Sequence, residues 1–342
     1  MAVGVGVVGL GRIGRLHAAN VVRHVPGLSL IALADPLAPD LERHAGELGA
    51  RAVEDWRELL GDREVEALVI CSPADHHLAQ IGAAAEAGKH VFCEKPLGLE
   101  LAEIDASLAI VERAGVVLQV GFNRRFDRNF AAMRRALDDG AVGRPWMLRI
   151  TSRDPEPPPA KYLRHAGGLM LDMAIHDFDL ARFLVASEIV EVSTLAGALV
   201  DPSLAEHDDV DTAVTTLRFA HGGLGAIDNC RRSSYGYDQR AEVHGSDGTV
   251  SAENEVEENT VLADSSGFHR RVLPRFFLER YSAAYRRELE SFAAAVRGGP
   301  VLVTGHDGRQ AVAAAHAANR SLREGRPVAV AEVEESAPGA AS

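Results

Sequence analysis

Three ionisable residues lie close together in the segment LDMAIHDFDL (171–180), which is otherwise almost wholly apolar. Asp172, His176 and Asp179 follow one another at spacings of four and three residues, so a regular α-helix places them within about 60° on one face. Asp177 lies about 140° from Asp172 and is expected to be structural. Because burying ionised carboxylates without partners is costly, the shared face must meet water, partner groups or a polar ligand.

Three interpretations of this face follow from the residues alone. In the first, His176 is a general base that a carboxylate orients, a role worth about 10²–10⁴ in rate, and it removes a hydroxyl proton while a nicotinamide cofactor accepts the hydride. In the second, Asp172 and His176 bind a metal ion, but no third His or Cys ligand accompanies them, so we expect no metal. In the third, the face is structural and partly exposed.

A glycine-rich turn, GLGRIG (9–14), has the G-x-G-x-x-G spacing, follows the apolar strand VGVGVV and opens a helix. Glycines permit a tight turn and close backbone approach, and the helix N-terminus accepts a pyrophosphate. Asp35 ends the second strand, 21 residues after Gly14, where it can bind a ribose diol and repel a 2′-phosphate. This pattern predicts NAD rather than NADP. The cofactor-binding residues predicted here are Gly9, Gly11, Arg12, Ile13, Gly14 and Asp35.

Two further segments, CSPADHH (71–77) and FCEKPLG (92–98), lie where later strands leave the sheet. Because the carboxyl ends of parallel strands face the ligand crevice, residues here are expected to line the cofactor. A lysine beside the nicotinamide can bind the reacting hydroxyl and stabilise a developing alkoxide. Each segment also has an interpretation without a functional role. Residues 71–77 would then form a helix-capping turn with surface histidines, and the EKP turn would simply be exposed to solvent. The residues predicted to line the cofactor are Ser72, Pro73, His76 (or its neighbour His77), Glu94 and Lys95.

The elements that must position these residues change character near residue 122. Before it, short apolar runs alternate with helical stretches, which predicts a doubly wound parallel sheet covered on both faces, an α/β Rossmann domain over 1–122. After it, helices and β-type segments joined by hairpin turns predict an α+β domain over 123–331 with a largely antiparallel open sheet. The acidic tail, 332–342, is expected to be disordered. The strands predicted for the first domain are 3–9, 29–34, 67–72, 90–93 and 116–122.

Composition excludes several classes of protein. The net charge of −13 argues against nucleic acid and anionic membranes as partners. Cys71, Cys93 and Cys230 are too few and too far apart for a disulfide framework or a cysteine zinc site, which favours a reducing, cytoplasmic location. No run reaches the roughly 18 apolar residues that a membrane span needs, and the N-terminus lacks the basic start of a signal peptide.

Taken together, the motifs resemble those of the glucose–fructose oxidoreductase/inositol dehydrogenase (Gfo/Idh/MocA) family. The resemblance covers nearly the whole chain, from GLGRIG through EKP to GGLMLDMAIHDFDLARFL (167–184). It implies that Lys95, Asp172 and His176 form the catalytic group. It also implies that the sheet of the second domain serves for oligomerisation, often as a homotetramer.

Within the family, four segments are similar to the inositol 2-dehydrogenase subgroup: GFNRRFD (121–127), SRDPEPPP (152–159), IHDFDLARF (175–183) and SSYGYDQR (233–240). The reaction implied is NAD-dependent oxidation of myo-inositol at C2 to 2-keto-myo-inositol. By the same resemblance, Asp179 and Tyr235 hold ring hydroxyls, and Arg124 or Arg125 lies near the substrate. A polyol pocket rich in such groups suits a neutral substrate. Beyond Arg124, Arg125 and the pair Arg231–Arg232, the second domain has no dense arginine cluster that would indicate a phosphorylated substrate.

Three alternatives remain open. The chain is a dehydrogenase for another cyclitol or sugar, such as scyllo-inositol or a hexopyranose. Alternatively, it is an NAD-sensing protein without catalysis, against which the intact set of Lys95, Asp172 and His176 argues. A metal-dependent hydrolase would use Asp172 and His176 and would be indifferent to NAD.

Overall fold

The structure is a computed structural model that describes residues 2–157, 167–256 and 258–335, and these residues form two compact units. Unit 1 contains residues 2–126 and 283–312, and unit 2 contains the other described residues. The predicted boundary at 122 lies close to the end of the first stretch of unit 1. The predicted second domain runs without interruption to 331, whereas residues 283–312 group with unit 1.

Unit 1 is built on a six-stranded parallel sheet with the order β3-β2-β1-β4-β5-β6. The predicted doubly wound sheet is therefore confirmed. The short edge strand β3 was not predicted, because three residues carry too little periodicity to be recognised. The strands are β1 (Val3–Val8), β2 (Leu28–Ala34), β3 (Arg51–Val53), β4 (Ala67–Ile70), β5 (His90–Glu94) and β6 (Leu118–Gly121).

Helices connect these strands, as the continuous apolar runs of a two-sided parallel sheet require. Two of them end at glycines in the left-handed region, Gly49 (φ 70°) and Gly115 (φ 66°), which L-residues adopt at a cost. A 3₁₀ turn, Asn123–Phe126, follows β6. The helices are α1 (Arg12–His24), α2 (Leu41–Leu48), α3 (Glu58–Gly61), α4 (Ala74–Glu86) and α5 (Leu101–Ala114).

Unit 2 is built on a seven-stranded sheet with the order β12-β11-β7-β10-β9-β8-β15. Every pairing is antiparallel except that of β7 with β10, so the predicted largely antiparallel sheet is confirmed. A separate hairpin is formed by β13 and β14. The strands are β7 (Pro145–Arg153), β8 (Ile189–Gly197), β9 (Thr212–Phe219), β10 (Leu224–Cys230), β11 (Asp238–Gly245), β12 (Thr249–Ala252), β13 (Val261–Asp264), β14 (Gly267–Arg270) and β15 (Val328–Ala329).

The helices that follow β6 begin with α6 (Arg128–Asp138), and a π-helical turn, Met170–Ala174, runs directly into α7 (Ile175–Val185). Arg134 of α6 donates from Nη1 to the carbonyl oxygens of Phe183 and Leu184, at 3.0 Å each, and so satisfies two carbonyls that the end of α7 leaves open. The later helices are α8 (Phe277–Arg280), α9 (Ser282–Val296), α10 (Gly305–Glu324) and α11 (Val330–Glu335).

Helix α9 explains why residues 283–312 group with unit 1. Its Leu289, Phe292 and Ala293 are buried in the same hydrophobic core as Val5 of β1 and Phe92 of β5. Burial of such side chains stabilises a fold by about 1.5–3 kcal/mol each. A helix that follows the second sheet in sequence therefore completes the core of the first unit, and local periodicity does not reveal this.

Three expectations concern the ends and loops of the chain. The tail was expected to be disordered from 332, but α11 continues to Glu335. Within this helix, the carboxylate of Glu332 forms an ion pair with Arg326 at 2.7 Å. Residues 336–342 lie outside the described residues, as do residues 158–166, which include the end of the proline-rich loop. No helix in the described ranges combines the length and the apolar character that crossing a membrane requires.

Candidate active site

The glycine-rich turn leaves the carboxyl end of β1 and needs its glycines for two different reasons. Gly9 has φ +88°, and a Cβ there would lie 2.7 Å from the amide nitrogen of Ser72. A Cβ on Gly14 would collide with the carbonyl oxygen of Gly9. At Gly11, in contrast, an added Cβ meets nothing within 4 Å. Gly9 and Gly14 thus serve internal packing, whereas the backbone at Gly11 faces open space and fits the close approach of a pyrophosphate.

Helix α1 begins at Arg12, followed by Ile13, directly after this turn. Its N-cap residue is Gly11, and no side chain in the described part of the chain caps it. The amide groups of the first turn of a helix lack intrahelical partners and carry the positive end of the helix dipole. The start of α1 therefore suits an anionic group, as the sequence predicted.

Asp35 lies where the sequence placed it, at the end of β2 beside the glycine-rich turn. Its carboxylate accepts hydrogen bonds from the amides of Leu10 (2.7 Å) and Leu37 (2.8 Å). These two bonds fix the side chain next to the turn while leaving it partly exposed. A carboxylate held in this way can accept hydrogen bonds from a ribose diol.

The loops that follow β4 and β5 are joined by a buried histidine. The side chain of His77 lies 2.8 Å from the carbonyl oxygen of Ser72 through Nε2 and 2.8 Å from that of Pro96 through Nδ1. Burial lowers the pKa of His77, because it disfavours the charged imidazolium. The predicted cofactor residue His76 is exposed on the first turn of α4, close to Pro73 in sequence. Thus the histidine that organises these loops is His77.

Glu94 ends β5, and its carboxylate lies inside unit 1. Oε1 lies 2.7 Å from Nε2 of His17, and Oε2 accepts a hydrogen bond from the backbone amide of Lys95 at 3.3 Å. The sequence predicted Glu94 as a cofactor residue and did not single out His17. Glu94, the residue directly before the candidate catalytic lysine, therefore has a hydrogen-bond partner, His17, inside unit 1.

In unit 2, the segment of Asp172, His176 and Asp179 departs from a regular α-helix. Asp172 lies in the π-helical turn, which has i→i+5 hydrogen bonds, and the α-helix begins only at Ile175. The prediction of a regular α-helix through all three residues is therefore wrong at Asp172, whereas their shared face stays a prediction. Asp172 and His176 are partly exposed, whereas Asp179 is completely buried. A π-turn has no simple sequence pattern, so the spacing concealed it.

The start of this helical segment is held by a conformation that favours glycine. Gly167 (φ 77°) and Gly168 (φ 78°) both adopt left-handed backbone angles. The next residue, Leu169, donates its amide to Oδ1 of Asp209 at 2.9 Å. A side-chain carboxylate thus satisfies one of the open amides at the N-terminal end and anchors the turn that carries Asp172.

Arg231 is the main residue at this site to which the sequence analysis gave no role. Nη1 of Arg231 donates to Oδ2 of Asp172 at 3.1 Å, and the arginine is completely buried. Its Nε and Nη2 atoms have no hydrogen-bond partner in the part of the chain that the structure describes. Two residues earlier, Asn229 donates to the buried Asp177 at 2.7 Å. Asn229 near the end of β10 and Arg231 directly after this strand thus supply polar partners to Asp177 and Asp172.

The residues predicted to contact the substrate occupy different environments. Tyr235 is largely exposed and donates from its hydroxyl to Asp238 at 2.7 Å. Arg124 is buried. Arg125 forms an ion pair with Asp307 at 2.9 Å. Burial alone would raise the pKa of Asp307, but the charge of Arg125 and hydrogen bonds from Thr304 and Arg125 lower it to about 2.

Comparison with known proteins identifies both halves of the chain. Residues 3–122 match the model of an oxidoreductase family with an NAD-binding Rossmann fold, GFO/IDH/MocA, and residues 130–251 match the GFO/IDH/MocA C-terminal domain.

Several curated proteins are similar over nearly their full length. The chain is 46% identical to the myo-inositol 2-dehydrogenase of Thermotoga maritima, covering 96% of this chain and 99% of the relative. It is 43% identical to the inositol 2-dehydrogenase of Rhizobium meliloti (97% and 100%). It is 39% identical to the NAD⁺-dependent scyllo-inositol 2-dehydrogenase of Bacillus subtilis (94% and 94%).

Solved structures show the same similarity. The crystal structure of myo-inositol dehydrogenase from Lactobacillus casei, in complex with NAD(H) and myo-inositol, has a TM-score of 0.86 at 25% identity. It covers 96% of this chain and 97% of that chain.

Proposed function

The chain belongs to the GFO/IDH/MocA oxidoreductase family, and from this membership we propose that it catalyses the NAD-dependent oxidation of myo-inositol at C2 to 2-keto-myo-inositol. The observation that carries the proposal is the full-length likeness to the myo-inositol 2-dehydrogenase of Thermotoga maritima. The geometry of the glycine-rich turn and of Asp35 supports NAD as the cofactor.

Bound NAD supplies the hydride acceptor. The open backbone at Gly11 and the first turn of α1 hold its pyrophosphate. Asp35 accepts hydrogen bonds from the adenosine ribose and repels the 2′-phosphate of NADP. Ser72, Pro73 and the loop after β5 line the cofactor where the strands end.

Three residues carry the acid–base chemistry in this proposal. The proton of the C2 hydroxyl would pass to the imidazole of His176 as the carbonyl forms, and bound NAD would accept the hydride from C2. Asp172 balances the positive charge that the imidazole acquires. Lys95 donates a hydrogen bond to the reacting oxygen and stabilises its developing negative charge. The remaining ring hydroxyls are held by Asp179, Tyr235 and one of the arginines Arg124 and Arg125.

A second candidate substrate is scyllo-inositol, which the similarity to the Bacillus subtilis enzyme favours. A panel of myo-inositol, scyllo-inositol and free hexoses, assayed with NAD and NADP in parallel by NADH or NADPH formation, separates the possibilities. We expect the highest kcat/KM for myo-inositol with NAD. A higher kcat/KM for another polyol would identify that polyol as the substrate in place of myo-inositol. NAD binding without turnover on any polyol would indicate a sensing protein.

The second sheet supports a homotetramer as the assembly. Its exposed face carries apolar side chains on neighbouring strands, where Leu195 faces Val214 and Leu224 faces Met147 across the register. Contiguous exposed apolar patches mark interaction sites. Light scattering after size exclusion tests this assembly: we expect a mass of four chains, and a smaller mass for the double variant Leu195→Asp, Val214→Asp. The free thiols of Cys71, Cys93 and Cys230 support a cytoplasmic location.

A further inference from the structure

Unit 1 contains a buried cluster of three ionisable side chains that the dehydrogenase motifs do not explain. Its members are His17 of α1, Glu94 at the end of β5 and Glu288 of α9, and all three are buried. One ring nitrogen of the histidine and one oxygen of each carboxylate lie within 4.8 Å of one another. We call these three residues the buried triad. Moving two carboxylates out of water has a large desolvation free energy, which a proton, a cation or strong hydrogen bonds must offset.

The hydrogen bonds of the buried triad converge on Glu94. Glu94 accepts hydrogen bonds from Nε2 of His17 and from the backbone amide of Lys95. Neither carboxylate oxygen of Glu288 has a hydrogen-bond partner among the described residues, and this residue is 0% exposed. Burial, and then the charge of Glu94, raise the pKa of Glu288 well above its ordinary value. Burial of Glu288 therefore favours its protonated form over a buried carboxylate.

The tautomer of His17 distinguishes a protonated triad from a metal site. Nε2 points to Glu94, while Nδ1 is buried without a hydrogen-bond partner among the described residues. A neutral ring with its proton on Nε2 leaves only an acceptor unsatisfied. A metal ion would need the lone pair of Nε2 and would therefore displace the hydrogen bond from Nε2 to Glu94. The ring is held by edge contacts with Phe92 and Tyr285.

The other groups around the buried triad do not neutralise it. Cys71, Cys93 and His77 are further titratable groups whose charge couples to Glu94, and burial lowers the pKa of His77. Burial, and then the charge of Glu94, raise the pKa of both thiols well above the ordinary value, so both are neutral. On β6, Gly121 pairs with Glu94, and a Cβ there would lie 3.1–3.2 Å from the Glu94 carboxylate. The neighbouring strand thus leaves space for this side chain.

We propose that the buried triad positions Lys95: His17 donates to the Glu94 carboxylate, Glu288 packs within 4.8 Å of both, and Glu94 fixes the backbone from which Lys95 projects. The inference rests on the proposed function, in which Lys95 contacts the reacting oxygen. His17 and Glu288 are then positioning residues that act through Glu94, and they do not touch the substrate. Their effect should appear in the chemical step rather than in the binding of cofactor or polyol.

A double-mutant cycle tests the connection to Lys95. His17→Phe keeps an aromatic ring and removes the bond to Glu94. We expect kcat for NADH formation from myo-inositol to fall about tenfold or more, with KM and the NAD dissociation constant within about twofold, and no further loss when His17→Phe is added to Lys95→Ala. If the fold-losses in kcat of the two single variants multiply in the double variant, the inference is overturned. Parental activity in Lys95→Ala would instead contradict the proposed function. If His17→Phe does not fold, Gly121→Ala, which presses on the Glu94 carboxylate, enters the same cycle.

The protonation of Glu288 has a separate test. Glu288→Gln has the shape of the uncharged acid, whereas Glu288→Leu fills similar space without polar atoms. We expect Glu288→Gln to keep at least half of the parental kcat, with the same pH profile, and Glu288→Leu to lose about tenfold or more. A folded, NAD-binding Glu288→Gln protein with little activity would show that the ionised form is needed. One equivalent of a metal ion in the purified parent, lost in Glu288→Gln, would also overturn the proposal.

Discussion

Asp172 and Arg231 form an ion pair in which the guanidinium is completely buried, with Nη1 of the arginine 3.1 Å from Oδ2 of the aspartate. The candidate catalytic carboxylate is thus the counter-charge of an internal cation. Removing one partner of a buried pair leaves an uncompensated charge, which typically costs about 3–5 kcal/mol. The pair therefore links the stability of unit 2 to the geometry of the π-helical turn that carries Asp172.

Replacing Arg231 should impair catalysis without affecting the cofactor. Arg231→Lys keeps the charge but loses the planar fork that holds Asp172, so we expect kcat to fall by about 10²-fold, as small misplacements of catalytic groups do. The NAD dissociation constant should stay within about twofold of the parent value. The matched control is Arg232→Lys, at an exposed neighbouring position, which should behave as the parent. Equal effects of the two substitutions would show that the ion pair has no special role.

The cofactor preference should depend on Asp35. Asp35→Ala removes a carboxylate that two backbone amides fix beside the glycine-rich turn. We expect NAD affinity to weaken by about 10–100-fold, the value of a hydrogen bond to a charged group, and NADP to be accepted more readily. Fluorescence titration with NADH and NADPH measures both constants. Glu103→Ala, at an exposed acidic position, is the control. Unchanged selectivity in Asp35→Ala would remove this residue from the cofactor site.

Much of the first unit follows from local sequence patterns. The glycine spacing, the acid at the end of β2 and the alternation of apolar strands with helices depend on neighbours in sequence, so they could be predicted. The contacts of Arg231 with Asp172 and of His17 with Glu94 could not, because they join residues 59 and 77 positions apart. The π-helical turn also escaped prediction, since the spacing of Asp172 and His176 is compatible with an ordinary α-helix.

The ion pair of Arg125 and Asp307 should make unit 1 sensitive to acid. The pKa of Asp307 is lowered to about 2 from an ordinary value of 3.8, so its stabilising contribution is present above about pH 4 and is lost as the pH falls through about 2. We expect Asp307→Asn to lower the free energy of unfolding by about 2 kcal/mol at pH 7 and by much less at pH 2.5. Urea unfolding at the two pH values measures this difference. If Asp307→Asn lowers the free energy of unfolding equally at both pH values, the loss comes from packing and not from the charge of Asp307.

Glu288 should have the opposite dependence on pH. Its pKa is raised in the folded protein, so above the ordinary value of 4.5 the unfolded chain releases a proton that the folded chain retains. This group therefore opposes folding increasingly as the pH rises from 4.5 to its folded pKa. We expect Glu288→Gln to be more stable relative to the parent at pH 8 than at pH 5, as measured by thermal unfolding. A relative stability that is independent of pH would mean that Glu288 ionises equally in both states.

Steady-state formation of NADH from myo-inositol by the parent protein, Lys95→Ala and His176→Ala, with the NAD dissociation constant measured for each, tests the proposed chemistry most directly. We expect turnover by the parent, a loss of about 10²–10⁴-fold in kcat for each variant and NAD affinity within about twofold. Absence of turnover by the parent, or near-parental kcat in either variant, would contradict the assignment of these two residues to the oxidation of the C2 hydroxyl.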